Sequence, residues 1–160
     1  MDRDDPCTVR VQYDGLPISE FAFPGALRDR LVAAVLDGSK TATTSTLAEY
    51  SLLDEPVPVA GARAVVVDSR GRPVAITETT EVRVVRAGDV DLQHAIDEGE
   101  GYTSLAQWRA DHEGFWHGTE FREAVGDPAF RVDDDTLLVL ERFRVLERLD
   151  AGGSGNPLRA

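Results

Sequence analysis

Between residues 24 and 37 the apolar positions Leu27, Leu31 and Val35, with Val32 and Leu36 beside them, recur at helical spacing and predict an amphipathic helix. Pro24 is allowed in a first turn, and Gly38 has the place and chemistry of a C-terminal cap. The pattern then changes character. Thr41, Thr43, Thr44 and Thr46 are polar and β-branched, which favours extended chain over helix. Residues 64–67 predict a short buried strand, and Arg70-Gly71-Arg72-Pro73 a turn. Residues 74–85 alternate, with Val74, Ile76, Val82 and Val84 on one face. Glu78 falls on that face, where a carboxylate is either a paired structural acid or the wall of a cleft.

Residues 91–97 predict a short helix, followed by the acidic turn Glu98-Gly99-Glu100-Gly101. A longer helix starts at Thr103 or Ser104, where Ser104 and Gln107 have the spacing of a capping box. Leu105, Trp108, His112, Phe115 and Trp116 line one side of it, so His112 reads as a hydrogen-bonded core histidine rather than a ligand. Residues 118–135 predict a loop with at most a short helix. Residues 136–146 predict a closing strand, with Phe143 and Val145 alternating against Arg142 and Arg144. Several short strands with two or three inserted helices make an α+β domain, closed most naturally as a small mixed β-barrel. One domain is expected at this length, over residues 21–147. Residues 1–20 read as a leader, in which Val9, Val11 and Tyr13 alternate like an edge strand. Residues 148–160 read as a Gly/Ser/Pro-rich tail.

No run of 18 apolar residues exists, so no membrane span is expected. The acidic start MDRDDP is unlike a secretory signal, which makes the cytoplasm the default location. Cys7 is the single cysteine and cannot form an intrachain disulfide. The net charge of -12 disfavours duplex DNA and long RNA, whose sequence-independent binding depends on phosphate neutralisation. That charge is unevenly spread. Over residues 24–47, Arg28, Arg30 and Lys40 outweigh Asp29 and Asp37, and over residues 63–77, Arg63, Arg70 and Arg72 face only Asp68. Residues 111–135 carry eight acids against Arg122 and Arg131. A neutral-to-basic cleft in an acidic shell suits a short strand or a single nucleotide.

Lys40 is the only lysine among 17 basic residues, and it lies in GSKTATTS, just past the first helix. Arginine is a permanently charged fork, whereas lysine is a point charge whose pKa burial can move. A solvated lysine favoured by the helix dipole is the plain alternative. Metal patterns are lacking: His112 and His117 are five apart, there is no HExxH, and Asp133-Asp134-Asp135 lacks the spacing of a calcium loop. No P-loop, GxGxxG or GxSxG occurs, so neither a metal nor a cofactor is expected. What remains is Lys40 with the hydroxyls of Thr41, Thr43, Thr44 and Ser45, plus Glu98 and Glu100. They offer a base or cation, a nucleophile and a carboxylate.

GSKTATTS after an amphipathic helix, EGEGYTSLAQWRADHEGFW some sixty residues on, and the closing LERFRVL together resemble the ASCH family, over about residues 21–146. The resemblance implies the PUA-like β-barrel of RNA-modification enzymes. It also implies two activities. Some small members are amidohydrolases that deacetylate N4-acetylcytidine with a lysine, a threonine three residues later and a glutamate before the second helix. Longer bacterial members look like RNA-binding proteins, some of them metal-independent ribonucleases. Carried over by motif, the trio is Lys40, Thr43 and Glu100, with Glu98 the other glutamate that fits. In a regular strand Lys40 would share a face with Thr44 instead, making Thr44 the partner.

Chain size makes binding and metal-free cleavage of single-stranded RNA the leading expectation. Arg28, Arg63 or Arg72 would then sit on phosphates, with Thr44, Ser45 and Glu98 beside the substrate. Hydrolysis of N4-acetylcytidine is the alternative that acidity favours, and a non-catalytic RNA-binding module is the third. For base stacking the candidates are Tyr50, Tyr102 and Trp108, of which Tyr102 is best placed and Trp108 reads as core.

Overall fold

The helix anticipated before Gly38 forms where the apolar stripe places it. In the computed structural model, which describes residues 16–149, α1 (Ala26–Asp37) ends on Gly38, whose φ of 89° is the left-handed geometry of a helix C-cap. Cys7, the alternation at Val9, Val11 and Tyr13, and most of the expected tail lie outside the described residues. The threonine-rich segment is β2 (Ala42–Thr46). Thr46 closes it and opens α2 (Leu47–Leu52): its hydroxyl accepts from Glu49 N, while the Glu49 carboxylate accepts from Thr46 N at 2.8 Å. Sequence reasoning passed over this helix, although Thr46-x-x-Glu49 is a capping-box signature.

The remaining strands are β1 (Ile18–Ser19), β3 (Arg63–Val67), β4 (Pro73–Arg86) and β5 (Leu137–Arg148). They form one sheet in the order β1-β3-β4-β5-β2, with β1 parallel to β3 and all other pairs antiparallel. Pairing therefore reaches into residues read as leader. The expected closed barrel is not formed by these pairings. Among the described residues the two-residue β1 and the outer side of β2 remain edges, and the chain leaves β2 directly into a helix. Between them the short helices α3 (Leu92–Asp97), α4 (Leu105–Trp116) and α5 (Thr119–Val125) connect β4 to β5.

Alternation along β4 does not run through as its residues suggest. Register shifts at Ile76/Thr77 and Thr79/Glu81 reset which side chains face inward. Ala75, Thr77 and Thr79 are buried, while Val84 is 48% exposed. Glu78 is the paired structural acid, accepting from Arg144 at 2.7 Å and facing Arg63 at 3.5 Å. β5 feeds two apolar clusters from alternate positions. Leu138 and Leu140 pack with Trp108, Trp116 and Phe121 of the later helices, and Phe143 packs with Leu31, Val32 and Val35 of α1.

Candidate active site

Two segments far apart in sequence are fastened together at the end of β2. Thr41 N donates to Asp97 O at 2.9 Å, and Lys40 N donates to Ala34 O at 3.0 Å. Asp97 also receives Arg142 of β5 at 2.5 Å. The acidic turn then passes so close that a Cβ on Gly99 would lie 2.5 Å from Ser39 O and 2.7 Å from Lys40 Cα. With φ at 77°, only glycine fits there without strain. This close approach brings Lys40 and Glu98 into one site.

Glu98 is buried, and donors converge on it from three directions. Oε2 accepts from Thr44 Oγ1 at 2.5 Å and from Trp108 Nε1 at 2.9 Å. Thr44 spends its only proton on Glu98, so it accepts from His94 Nε2 at 2.8 Å. Oε1 faces His112 Nε2 at 3.2 Å and Lys40 Nζ at 3.8 Å. The other ring nitrogen of His112 faces Trp108 O at 2.9 Å. Both His112 nitrogens thus point at acceptors, which requires an imidazolium. It stacks on the Trp108 ring with centroids 4.4 Å apart.

These contacts set the protonation states. Burial alone would raise Glu98, but the hydrogen bonds from His112 and His94 and the charge of Lys40 hold it well below the usual carboxylate range. Burial would lower His112, and the bond and charge of Glu98 reverse that and raise it. Lys40 is 2% exposed, and burial lowers its pKa against the pull of Glu98 and Glu100. Its Nζ donates to Ala42 O at 2.9 Å and Glu98 O at 3.4 Å, and lies 5.6 Å from the Phe21 ring centroid. Glu100 is different. Burial raises it, and its one ion-pair partner among the described residues is the exposed Arg30, at 3.8 Å.

These groups line a cavity of about 570 Å³ together with Thr43, Thr44 and Ser45. Its walls carry the acids Glu20, Glu49, Glu55, Glu98, Glu100 and Asp111 against Arg30, Lys40 and His112. An aromatic portion is built from Phe23 and Phe115, stacked at 5.5 Å, and Phe121. β2 stays in regular register, with Thr43 opposite Glu141 and Thr44 opposite Leu140. No bulge turns Thr43 toward Lys40, and no hydrogen bond joins the two. Thr44 holds Glu98, while Thr43 reaches the cavity from the other face of the strand. Among the described residues, no three His, Cys, Asp or Glu side chains are placed to hold a metal ion.

Other expected site residues lie elsewhere. Arg28 is buried and spends its guanidinium on Phe21 O, Ala22 O, Asp68 O and Glu20. Arg63 is held by Glu78, and Arg72 by Asp68 at 3.3 Å. None of the three lines the cavity, because the local excess of arginine is neutralised by acids that only the fold brings close. Tyr102 is buried, its hydroxyl donates to Asp111 at 3.0 Å, and burial raises its pKa; its ring offers no cavity face for a base. Trp108 is core, as read. Tyr50 bonds Ser45, and burial pushes it up to about 12. Sequence reasoning missed His94, Asp111 and Glu141, and it read His112 as core although it also walls the cavity. The i, i+4 pair His94–Glu98 on α3 was the available signal.

The family model for the ASCH domain matches residues 19–147. The chain belongs to the ASCH domain family. A crystal structure of an ASCH domain from Lactobacillus crispatus JV V101 is 30% identical, with a TM-score of 0.70 over 86% of this chain and 84% of that one. A protein from Enterococcus faecalis V583 is 25% identical, with a TM-score of 0.74 over 96% of this chain and 94% of that one. No protein of curated function matches. The ASCH domain thus sets the scaffold, and the chemistry must be argued from the cavity.

Proposed function

We propose that this ASCH domain is an amidohydrolase acting on a small neutral acylated base, of the N4-acetylcytidine class. The observation that carries the reading is the charge of the cavity: six carboxylates against Arg30, Lys40 and His112. A phosphate chain is repelled by such a wall, whereas a neutral nucleoside is not. The volume also falls within the range of small-molecule sites. Arg28, Arg63 and Arg72, which RNA cleavage would need along the phosphates, are engaged away from it. This reverses the order that chain size suggests, and leaves RNA binding or cleavage as the reading to be tested alongside.

In this mechanism an unperturbed lysine would be a poor base, since only about one in 2,500 is neutral at pH 7. Burial increases that fraction at Lys40. The neutral amine takes a proton from a water held beside Thr43 as the water oxygen attacks the acetamide carbonyl, so the acetyl group leaves as acetate. The C–N bond then breaks, and Glu100, whose carboxyl burial raises, is the acid that protonates the leaving amine. Glu98 is too firmly ionised to be that acid. Its work is to hold Thr44 and the Lys40 segment in place.

The test is acetate release from N4-acetylcytidine in EDTA, run beside cleavage and retention of labelled single-stranded RNA. Turnover of the nucleoside, with Lys40→Arg reduced at least about 100-fold, is expected, because arginine cannot deprotonate. RNA cleavage without acetate release would replace this reading with a ribonuclease. RNA retention alone would leave a binding module.

A further inference from the structure

The segment between β1 and α1 forms one wall of the cavity, with Glu20, Phe21, Ala22 and Phe23 all lining it. Phe21 lies against the amine: Lys40 Nζ is 5.6 Å from its ring centroid. Phe21 also meets Phe143 of β5 at 6.0 Å, whereas Phe23 turns to the other apolar cluster and stacks on Phe115 of α4 at 5.5 Å. The chain reverses between the two rings at Ala22, whose φ of 59° lies in the left-handed region. Alanine does not favour that backbone, so its surroundings must impose it.

Arg28 imposes it. From the first turn of α1 its guanidinium reaches back, Nε donating to Phe21 O at 3.2 Å and Nη2 to Ala22 O at 2.8 Å. Nη2 also meets Glu20 at 3.3 Å, and Nη1 donates to Asp68 O in the β3–β4 turn at 3.3 Å. The group is 3% exposed, and its planar fork serves carbonyls on both sides of the reversal at once. Arg28 does not itself line the cavity, so whatever it does for the chemistry passes through the segment it holds. We propose that Arg28 is a positioning residue, fixing residues 20–23 so that the Phe21 ring closes the cavity wall over Lys40. The consequence for catalysis rests on the hydrolytic reading, in which Lys40 is the base. Lys40 is faced by Glu98 from the end of α3, Glu100 from the following turn and Glu141 from β5, with His112 and Arg30 behind the first two. All three acids favour the ammonium, and exclusion of water is what opposes them. The attraction of an aromatic face for a cation also favours the ammonium, but it is worth only about one pH unit. Loss of water can lower a lysine by up to about 3–5 pH units, so the covering ring acts on balance toward the neutral amine.

Lys40 is the sole lysine, so full-length protein labelled with [13Cε]lysine yields one lysine signal whose titration reads this site directly. Arg28→Gln keeps a short polar arm that cannot reach four acceptors, and Phe21→Leu keeps an apolar side chain that covers less of the amine. In both, Lys40 is expected to titrate about one pH unit higher than in wild type. The acidic limb of kcat/KM for N4-acetylcytidine should rise with it, a loss of about tenfold at pH 7 that is recovered at higher pH. Ser69→Ala is the comparison: its hydroxyl fastens Gly25 and Asp29, at the far end of the same segment, and its loss should leave the lysine signal in place. An unshifted signal in Phe21→Leu overturns the proposal, whether or not the protein turns over. A shift in Phe21→Leu without one in Arg28→Gln overturns the part given to Arg28. An equal shift in Ser69→Ala overturns it too, since any loosening of the segment would then suffice. The expected shifts in a protein that never releases acetate keep the Arg28–Phe21 wall and overturn the hydrolytic reading instead.

Discussion

Glu98 and Glu100 are two residues apart, and the fold treats them in opposite ways. Around Glu98, Thr44, Trp108, His94, His112 and Lys40 supply protons from β2 and two helices, and the carboxylate stays ionised although fully buried. Glu100 has one ion-pair partner among the described residues, the exposed Arg30, and burial pushes its carboxyl up. Burial is common to both, so burial alone does not decide the charge of an acid. The number of donors aimed at it does. Gly99 between them explains how neighbours diverge: its left-handed backbone lets one side chain turn inward while the next reaches the cavity.

The comparison breaks most visibly if the anchored acid is removed. Glu98→Ala leaves Lys40 and the His112 imidazolium buried without their counter-charge, and a loss of about 3–5 kcal/mol of stability is expected, measured by denaturant unfolding. Glu100→Gln is the contrasting substitution. It should lower kcat for N4-acetylcytidine about 100-fold while leaving the unfolding midpoint unchanged. Equal loss of stability in the two variants would erase the distinction between them.

Changing pH sharpens it more gently. His112 has its folded pKa raised, so its contribution is complete below the unfolded value of about 6.5 and is lost as pH rises through the folded value. Glu98 has its folded pKa depressed. Its contribution is present above about 4.3 and is lost as pH falls through the folded value. Stability should therefore be greatest between these limits, and His112→Gln should flatten the alkaline side in a series of thermal melts. The smallest effect belongs to Arg72→Ala. Its pair with Asp68 is half-exposed and remote from the cavity, so nucleoside turnover should stay within about twofold of wild type. A large loss would return RNA phosphates to the account.

How much of this was legible in the residues follows the range of the forces involved. Local signals were readable: the apolar stripe and Gly38 for α1, the β-branched run for β2, and Ser104 with Gln107 for α4. In the last case Ser104 does accept from Gln107 N, while Gln107 reaches back to Thr103 N rather than to the cap itself. The Thr46–Glu49 box was equally local and was passed over. Val84 was misplaced because register shifts in β4 depend on its neighbours, which alternation cannot reveal. Lys40 and the acidic turn could be paired only through the family resemblance, since their meeting depends on Gly99 passing over Ser39. Arg28, Arg63 and Arg72 counted as cleft charge until folding paired them with groups such as Asp68 and Glu78. Glu141 drew no notice in LERFRVL, because its neighbour Thr43 lies on another strand.

Hydrolysis by this cavity depends on the state of one amine, and titration of the single lysine in wild-type protein labelled with [13Cε]lysine measures it. Lys40 is expected to lose its proton at a pH clearly below the ordinary lysine value of about 10.4. A midpoint at or above that value would mean that the carboxylates outweigh burial, and that Lys40 is a fixed cation rather than a base.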